Sequence, residues 1–414
     1  MPQADLAWLL AAFALVVLMF PGLALYYGGL LGKNNILNMF MMVLSTLAVT
    51  AVLYVLYGYG MVSGNSVAGL GLVGNPFEFF GMNGFEIDDK SGGPQSIYWA
   101  AFFVLFAAIT IAIVASGAAG RMKFGAWIIF SAIWLTVVYF PIAHWVFTYS
   151  DEETGYVGGW LRNVVHLHDF AGGTAVHMTA GVGALALALV LGKSKAPQAK
   201  PHNLPLAILG AGILWFGWFG FNGGSAAGAN FLSQYVVMTT LLAGSAGIIG
   251  YLAIERLRDG RASALGLATG AIAGLVGITP SADAVNPLGA LAVGAASGAV
   301  VCWAITWKKK WGVDDTLDAF AVHGIGGIVG TLCVVLIGAA SAPAGVSGLL
   351  FGGDWSILWR ELIAIVATCL YAFVATYAIA WTLNKVMNIR VDEEAEHRGL
   401  DLTLHAEAAY AEAD

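Results

Sequence analysis

Charge is scarce in this chain. Asp, Glu, Lys and Arg together make up 10% of 414 residues, against 59% hydrophobic ones. With a mean hydropathy of +0.79, the chain lacks the polar surface that a soluble domain of this size must offer water, which excludes that class. Cysteine is nearly missing. Cys302, Cys333 and Cys369 all fall in apolar runs, so neither a disulfide framework nor a zinc site is expected. No basic stripe is present, so nucleic acid is not an expected partner. No positively charged segment precedes the first apolar run, so no cleaved signal peptide is expected. The loops hold no nucleophile–base arrangement and no cofactor motif. An enzyme, a cofactor and a resident metal are therefore not expected.

What is present is long apolar runs and 54 glycines. Helices satisfy their own backbone groups in lipid, and small residues let them pack closely. The fold class is therefore an all-α polytopic membrane protein. A span needs about 20 apolar residues. On that rule eleven spans are predicted, near 7–31, 36–62, 96–119, 124–148, 169–192, 204–226, 231–254, 262–280, 287–307, 317–341 and 357–388. Fifteen of the 18 Lys and Arg residues then fall on one side; only Lys90, Arg162 and Arg360 fall on the other. The positive-inside rule puts the N-terminus outside the cell membrane and the C-terminus in the cytoplasm. The predicted outer loops carry Glu78, Glu86, Asp88 and Asp89, then Asp151, Glu152 and Glu153. Such acids can concentrate a cation near the mouth, though solvated loops are the plainer reading. The segment 391–414 holds eight acids against Arg398 alone, which matches the net charge of the whole chain.

Ten spans divide into five and five, so the second half is inverted. The predicted organisation is a transmembrane domain over 1–390, with halves of about 1–195 and 196–345, span 11 outside the symmetry, and a tail over 391–414. Ala175-Val176-His177 recurs as Ala321-Val322-His323, in spans 5 and 10. Ionisable groups at bilayer depth are functional candidates, and inverted repeats build one site between halves. Two facing imidazoles can share a hydrogen bond, offer polar edges and relay protons. Asp169 lies eight residues before His177, where it can cap span 5 by accepting from Gly172, Gly173 and Thr174 N–H groups. Asp318, five residues before His323, is its expected counterpart in the second half. Phe106, Trp145, Phe147 and Phe221 are candidate ring faces for a cation losing its water, with Ser225 one turn beyond Phe221. His166, His168 and Asp169 form a weak His-x-His-Asp pattern, with no matching ligands elsewhere.

On these residues the chain resembles the Amt/Mep/Rh ammonium transporter family, on the Amt side. The similar stretches are Pro21-Gly-Leu-Ala-Leu-Tyr-Tyr-Gly-Gly29, Phe106-Ala-Ala-Ile-Thr110, Pro141-Ile-Ala-His144, Asp169-Phe-Ala-Gly-Gly-Thr-Ala-Val-His177 and Lys200-Pro-His-Asn-Leu-Pro205. Trp215-Phe-Gly-Trp-Phe-Gly-Phe-Asn-Gly-Gly-Ser225, Thr279-Pro280 and Asp318-Ala-Phe-Ala-Val-His-Gly324 continue the match. The resemblance implies an eleven-helix pseudo-two-fold bundle, assembled as a homotrimer with one pore per subunit. It implies that His177 and His323 are the pore's twin histidines, and that Phe106 and Phe221 are its phenylalanine gate. Phe106, Phe147 and Ser225 would form the outer ammonium site, and Asp169 would serve recruitment and deprotonation. It further implies that the tail, through Gly399, Asp401 and Tyr410, is regulatory and couples to a PII-type signal protein. Two departures stand out. Phe147 occupies a position where the family usually has tryptophan, which implies a weaker outer site or help from another ring; Trp145, two residues away, faces elsewhere on a helix. Gly120 precedes Arg121 where an acid is common. The function implied is ammonium transport, in which ammonium is recruited at an outer vestibule and deprotonated and ammonia is conducted through a hydrophobic pore, with net charge transfer as the family's expected behaviour. The alternatives are an electroneutral Rh-type gas channel for ammonia or carbon dioxide, an ammonium sensor, and a metal-ion transporter, which lacks the expected paired ligands.

Overall fold

The computed structural model describes residues 3–83, 85, 97–196 and 200–410. Glu86, Asp88, Asp89 and Lys90 of the predicted acidic loop lie outside the described residues. Among the described residues, ten helices are long and apolar enough to cross a membrane: α1 Gln3–Leu30, α2 Ile36–Ser63, α3 Ile97–Ala118, α4 Phe124–Phe147, α5 Gly173–Leu191, α6 Leu204–Ser225, α7 Phe231–Asp259, α9 Pro287–Trp307, α10 Phe320–Ile337 and α11 Ser356–Met387. The eighth predicted span is a shorter apolar helix, α8 Ala264–Ile278. At 1.5 Å per residue, its 15 residues reach roughly 22 Å, less than a bilayer core. Two short helices close the chain, α12 Glu393–Arg398 and α13 Leu400–His405. The described residues contain no strand, only isolated bridges.

The helix ends follow local chemistry. Asn230 and Ser233 form a reciprocal capping box at the start of α7, and Ser263 caps α8 through Gly266 N–H. Both leave fewer orphan donors at a helix start. The predicted fifth span begins four residues later than 169, because Asp169 is a cap outside the helix. Glycine decides the closest approaches. A methyl group on Gly181 of α5 would overlap the backbone of Gly324 on α10. That contact brings together the two helices that carry the histidines.

The helices define two distinct ends. One gathers the acidic segment 149–168, the end of α6, residues 279–286 and the start of α11; for example Ala171 N–H donates to Thr279 O and His168 N–H to Glu361 Oε1. The other gathers the ends of α1, α3 and α5, residues 314–318 and the tail. The starts of α5 and α10 lie at opposite ends, so these helices run in opposed directions.

Candidate functional site

Both histidines sit on a π-helical turn at the start of their helix, Gly173–Met178 and Phe320–Ile325. A π-turn inserts one extra residue and is concentrated at functional places. His177 Nδ1 lies 3.2 Å from His323 Nδ1, with rings 5.3 Å apart and 22° from parallel. Both are buried. One Nδ1 must donate and the other accept. His177 also stacks on Trp218 at 5.3 Å, whose Nε1–H is fixed by Thr279 Oγ1 at 2.9 Å. Nε2 of His177 has no hydrogen-bond partner among the described residues.

Asp169 is buried at 2% exposure. Its Oδ1 accepts from Gly172 and Gly173 N–H, both at 2.8 Å, and its Oδ2 from Thr174 at 2.7 Å and Ala175 at 3.4 Å. Charge-assisted bonds to four donors at a helix start hold a carboxylate strongly. The turn requires a positive φ at Gly172, +105°, which glycine adopts freely.

The expected counterpart of Asp169 needs correction. Asp315, not Asp318, occupies the equivalent place. Asp315 accepts from Ala319 N–H at 3.2 Å and Phe320 N–H at 2.9 Å, the same offsets at which Asp169 meets Gly173 and Thr174. Asp315 lies eight residues before His323, as Asp169 lies eight before His177. Asp318 stands instead where Gly172 stands, with a matching positive φ of +61°. The repeat therefore keeps its spacing.

Phe106 and Phe221 are stacked, with centroids 4.1 Å apart and planes 9° from parallel. This stack separates two cavities. On one side lies a cavity of about 970 Å³ whose wall includes Phe147, Ser225, Asp151, Asp169 and Asp283. On the other lies a narrow, mainly apolar space of about 20 Å³, bounded by Phe221, Trp218, Tyr26 and both histidines. That volume suits one molecule of water's size. Ser225 Oγ–H donates back to Phe221 O at 2.9 Å, which leaves its lone pairs open to a donor in the cavity.

Phe147 meets Phe106 edge to face at 6.2 Å. Phe103, 5.5 Å from Phe147, and Trp99 share the wide cavity's wall, so the cavity holds further rings that the sequence did not single out. Trp145 turns away, with its Nε1–H on Leu72 O at 2.7 Å and its ring on Tyr371 at 4.9 Å. Also unforeseen was Arg162, which ties the carbonyls of Val146, Leu167 and Asp169. Among the described residues no group of three or more His, Cys, Asp or Glu has the arrangement of a metal site.

The tail is docked. Asp401 accepts from Leu37 and Asn38 N–H at 3.1 and 2.8 Å, capping α2. Gly399 has φ +93° and lies against Asn34, where a side chain would overlap it. Tyr410 OH is 3.0 Å from His202 Nε2. Buried Glu396 holds Arg390 Nε at 2.7 Å and Lys195 N–H at 2.8 Å. Arg121, fully buried, donates to Gly117 O, Gly192 O and Asp314 O. Burial lowers its affinity for the proton and the nearby Asp314 opposes this. Gly120 adopts φ +67°, which accounts for a glycine there in steric terms.

Residues 7–410 match the family described as the Ammonium Transporter Family. An ammonium transporter of Corynebacterium glutamicum is 57% identical over 410 residues, covering 99% of this chain and 90% of that protein. One of Bacillus subtilis is 41% identical, covering 99% of each. The crystal structure of Saccharomyces cerevisiae Mep2 superposes with a TM-score of 0.85 at 32% identity, covering 95% of this chain and 88% of that one. With a buried imidazole pair below a phenylalanine stack, and with matches along nearly its whole length, the chain belongs to the ammonium transporter family.

Proposed function

We propose that this protein recruits ammonium at the wide cavity, removes a proton near the Phe106–Phe221 stack, and conducts ammonia past His177 and His323. The observation that carries this reading is the sharp change across the stack. A cavity edged with carboxylates, rings and a hydroxyl gives way to an apolar space for one small molecule. An ion loses its hydration there at large cost, whereas neutral ammonia does not. Ser225 Oγ accepts an ammonium N–H, the faces of Phe106 and Phe147 replace part of its water shell, and the field of Asp169 favours the cation. The imidazole pair then offers ammonia a polar edge and a route for the proton, so transport carries net charge. Potassium is refused because it has no proton to shed.

In this reading the wide cavity opens outside, the tail lies in the cytoplasm, and α8 together with the turn over residues 279–286 that follows it is the eighth of eleven spans. Residues 1–390 form the transport domain, with halves of about 1–195 and 196–345, in a homotrimer with one pore per subunit. The tail, 391–414, docked through its described residues, is the surface read by a PII-type protein. The buried contacts of Asp401 and Glu396 support a regulatory tail over a disordered one.

The test is the current evoked by an ammonium jump in proteoliposomes. The expected result is a saturable current that Asp169→Ala abolishes. Rapid internal alkalinisation with no current would instead establish the electroneutral gas channel.

A further inference from the structure

Asp283 lies on the turn after α8 and shares the wide cavity's wall with Ser225, Phe147 and Asp169. Its Oδ1 is 2.9 Å from His168 Nε2. His168 precedes Asp169 in the chain, and its backbone N–H donates to Glu361 Oε1 on α11 at 2.6 Å. The side chains of His168 and Asp283 are 19% and 12% exposed. The pair is therefore at the cavity surface, shielded from bulk solvent but open to whatever enters. Neither residue takes part in the gate, the imidazole pair or the Asp169 cap.

We propose that Asp283 is a second ammonium-recruiting carboxylate of the vestibule, and that protonation of His168 switches it off. This rests on the recruiting function proposed above. A neutral His168 donates Nε2–H to Asp283 and leaves its negative charge uncancelled, so the vestibule attracts a small cation. An imidazolium at the same place neutralises the pair, and the attraction falls. One proton thus sets the charge of the vestibule wall by one unit, at a point fixed to the neighbour of Asp169.

The charged and titratable groups around the pair come from each packed element. Glu361 faces His168 from α11 and Arg162 faces it from residues 161–165, and Asp169 of the adjoining chain faces Glu361. Tyr235 of α7 faces Asp283 and bonds Val285 O at 2.9 Å. Glu361 is buried, and its Oε2 has no hydrogen-bond partner among the described residues, so it needs its own control. Burial opposes the imidazolium of His168, but the charge and hydrogen bond of Asp283 outweigh it and raise the pKa above the ordinary histidine value. The sign follows. The pair is neutral below that raised pKa, and the carboxylate is uncovered as pH rises through it. Capture of ammonium strengthens toward alkaline pH.

The experiment measures ammonium-evoked current in proteoliposomes, as half-saturating ammonium concentration against pH from about 5.5 to about 8.5. For the unmodified protein this concentration is expected to fall about threefold to tenfold across the range, the size of one partly screened charge. Asp283→Asn should hold the high value throughout. His168→Gln should hold the low value throughout, and it keeps the carboxylate should Asp283→Asn fail to fold. Glu361→Gln should keep the pH dependence. The proposal is overturned if Asp283→Asn matches the unmodified protein at alkaline pH. It is equally overturned if His168→Gln retains the pH dependence, or if Glu361→Gln removes it. The absence of any saturable current from the unmodified protein would overturn the recruiting function itself, and this inference with it.

Discussion

The chain contains the same device twice, and the two copies face different surroundings. Asp169 and Asp315 each lie eight residues before a histidine, each caps a π-turn, and each is followed three residues on by a positive φ. Asp169 is part of the wall of a cavity of about 970 Å³. Asp315 is held additionally by Ser116 Oγ–H at 3.1 Å, beside Arg121, and the tail closes over that end through Arg390 and Glu396. Similar local geometry thus serves one module that borders a wide cavity and one held in a hydrogen-bond network. The repeat supplies the cap and the imidazole; the neighbourhood decides which of the two aspartates borders the wide cavity.

The largest test removes each cap in turn. Asp169→Ala should reduce ammonium current at least about 100-fold, the scale of losing one electrostatic group at a dry site. Asp315→Ala should lower thermal stability by about 1–3 kcal/mol through its uncapped donors, followed by tryptophan fluorescence in detergent, while keeping transport within about tenfold of normal. Equal loss of current in the two variants would break the comparison. The next test asks whether the two histidines act as one unit. Their shared Nδ1–Nδ1 bond means that His177→Leu, His323→Leu and the double variant should cost the same in current, since coupled groups are not additive. Additive losses would argue for two separate steps.

Smaller effects sharpen the contrast between the ends. Gly399→Ala must place a side chain on Asn34 at positive φ, and should release the tail to limited proteolysis more readily than Asp401→Ala, whose lost cap is worth about 1 kcal/mol. Undocking should leave the wide cavity intact, so the half-saturating concentration should stay unchanged. At the other end, Phe147→Trp should lower that concentration by about twofold to fivefold, because tryptophan is the better partner for a cation. No change would mean that Phe103 and Trp99 already supply the needed ring faces.

Much of this was legible in the residues. Long apolar runs give membrane helices because lipid offers backbone groups no alternative partner, and the ten long helices lie within a few residues of their predicted bounds. Trp145 could be set aside beforehand, because residues two apart on a helix diverge. The Asp169 cap was readable because its donors are three to six residues away. Asp315 was missed although its spacing of eight matched; Asp318 drew attention by lying nearer the histidine. The pairing of His168 with Asp283, 115 residues distant, and of His168 with Glu361, 193 residues distant, has no sequence signal.

By itself, then, the sequence determined that this is a polytopic helical membrane protein with a repeated histidine motif, because hydrophobic length and local capping act over a few neighbouring residues. Only the tertiary structure decided which acid mirrors Asp169, which rings face the cavity, and that the acidic tail is docked. Those outcomes depend on which surfaces the helices press together, and on glycine contacts such as Gly181 with Gly324 that set how closely they approach.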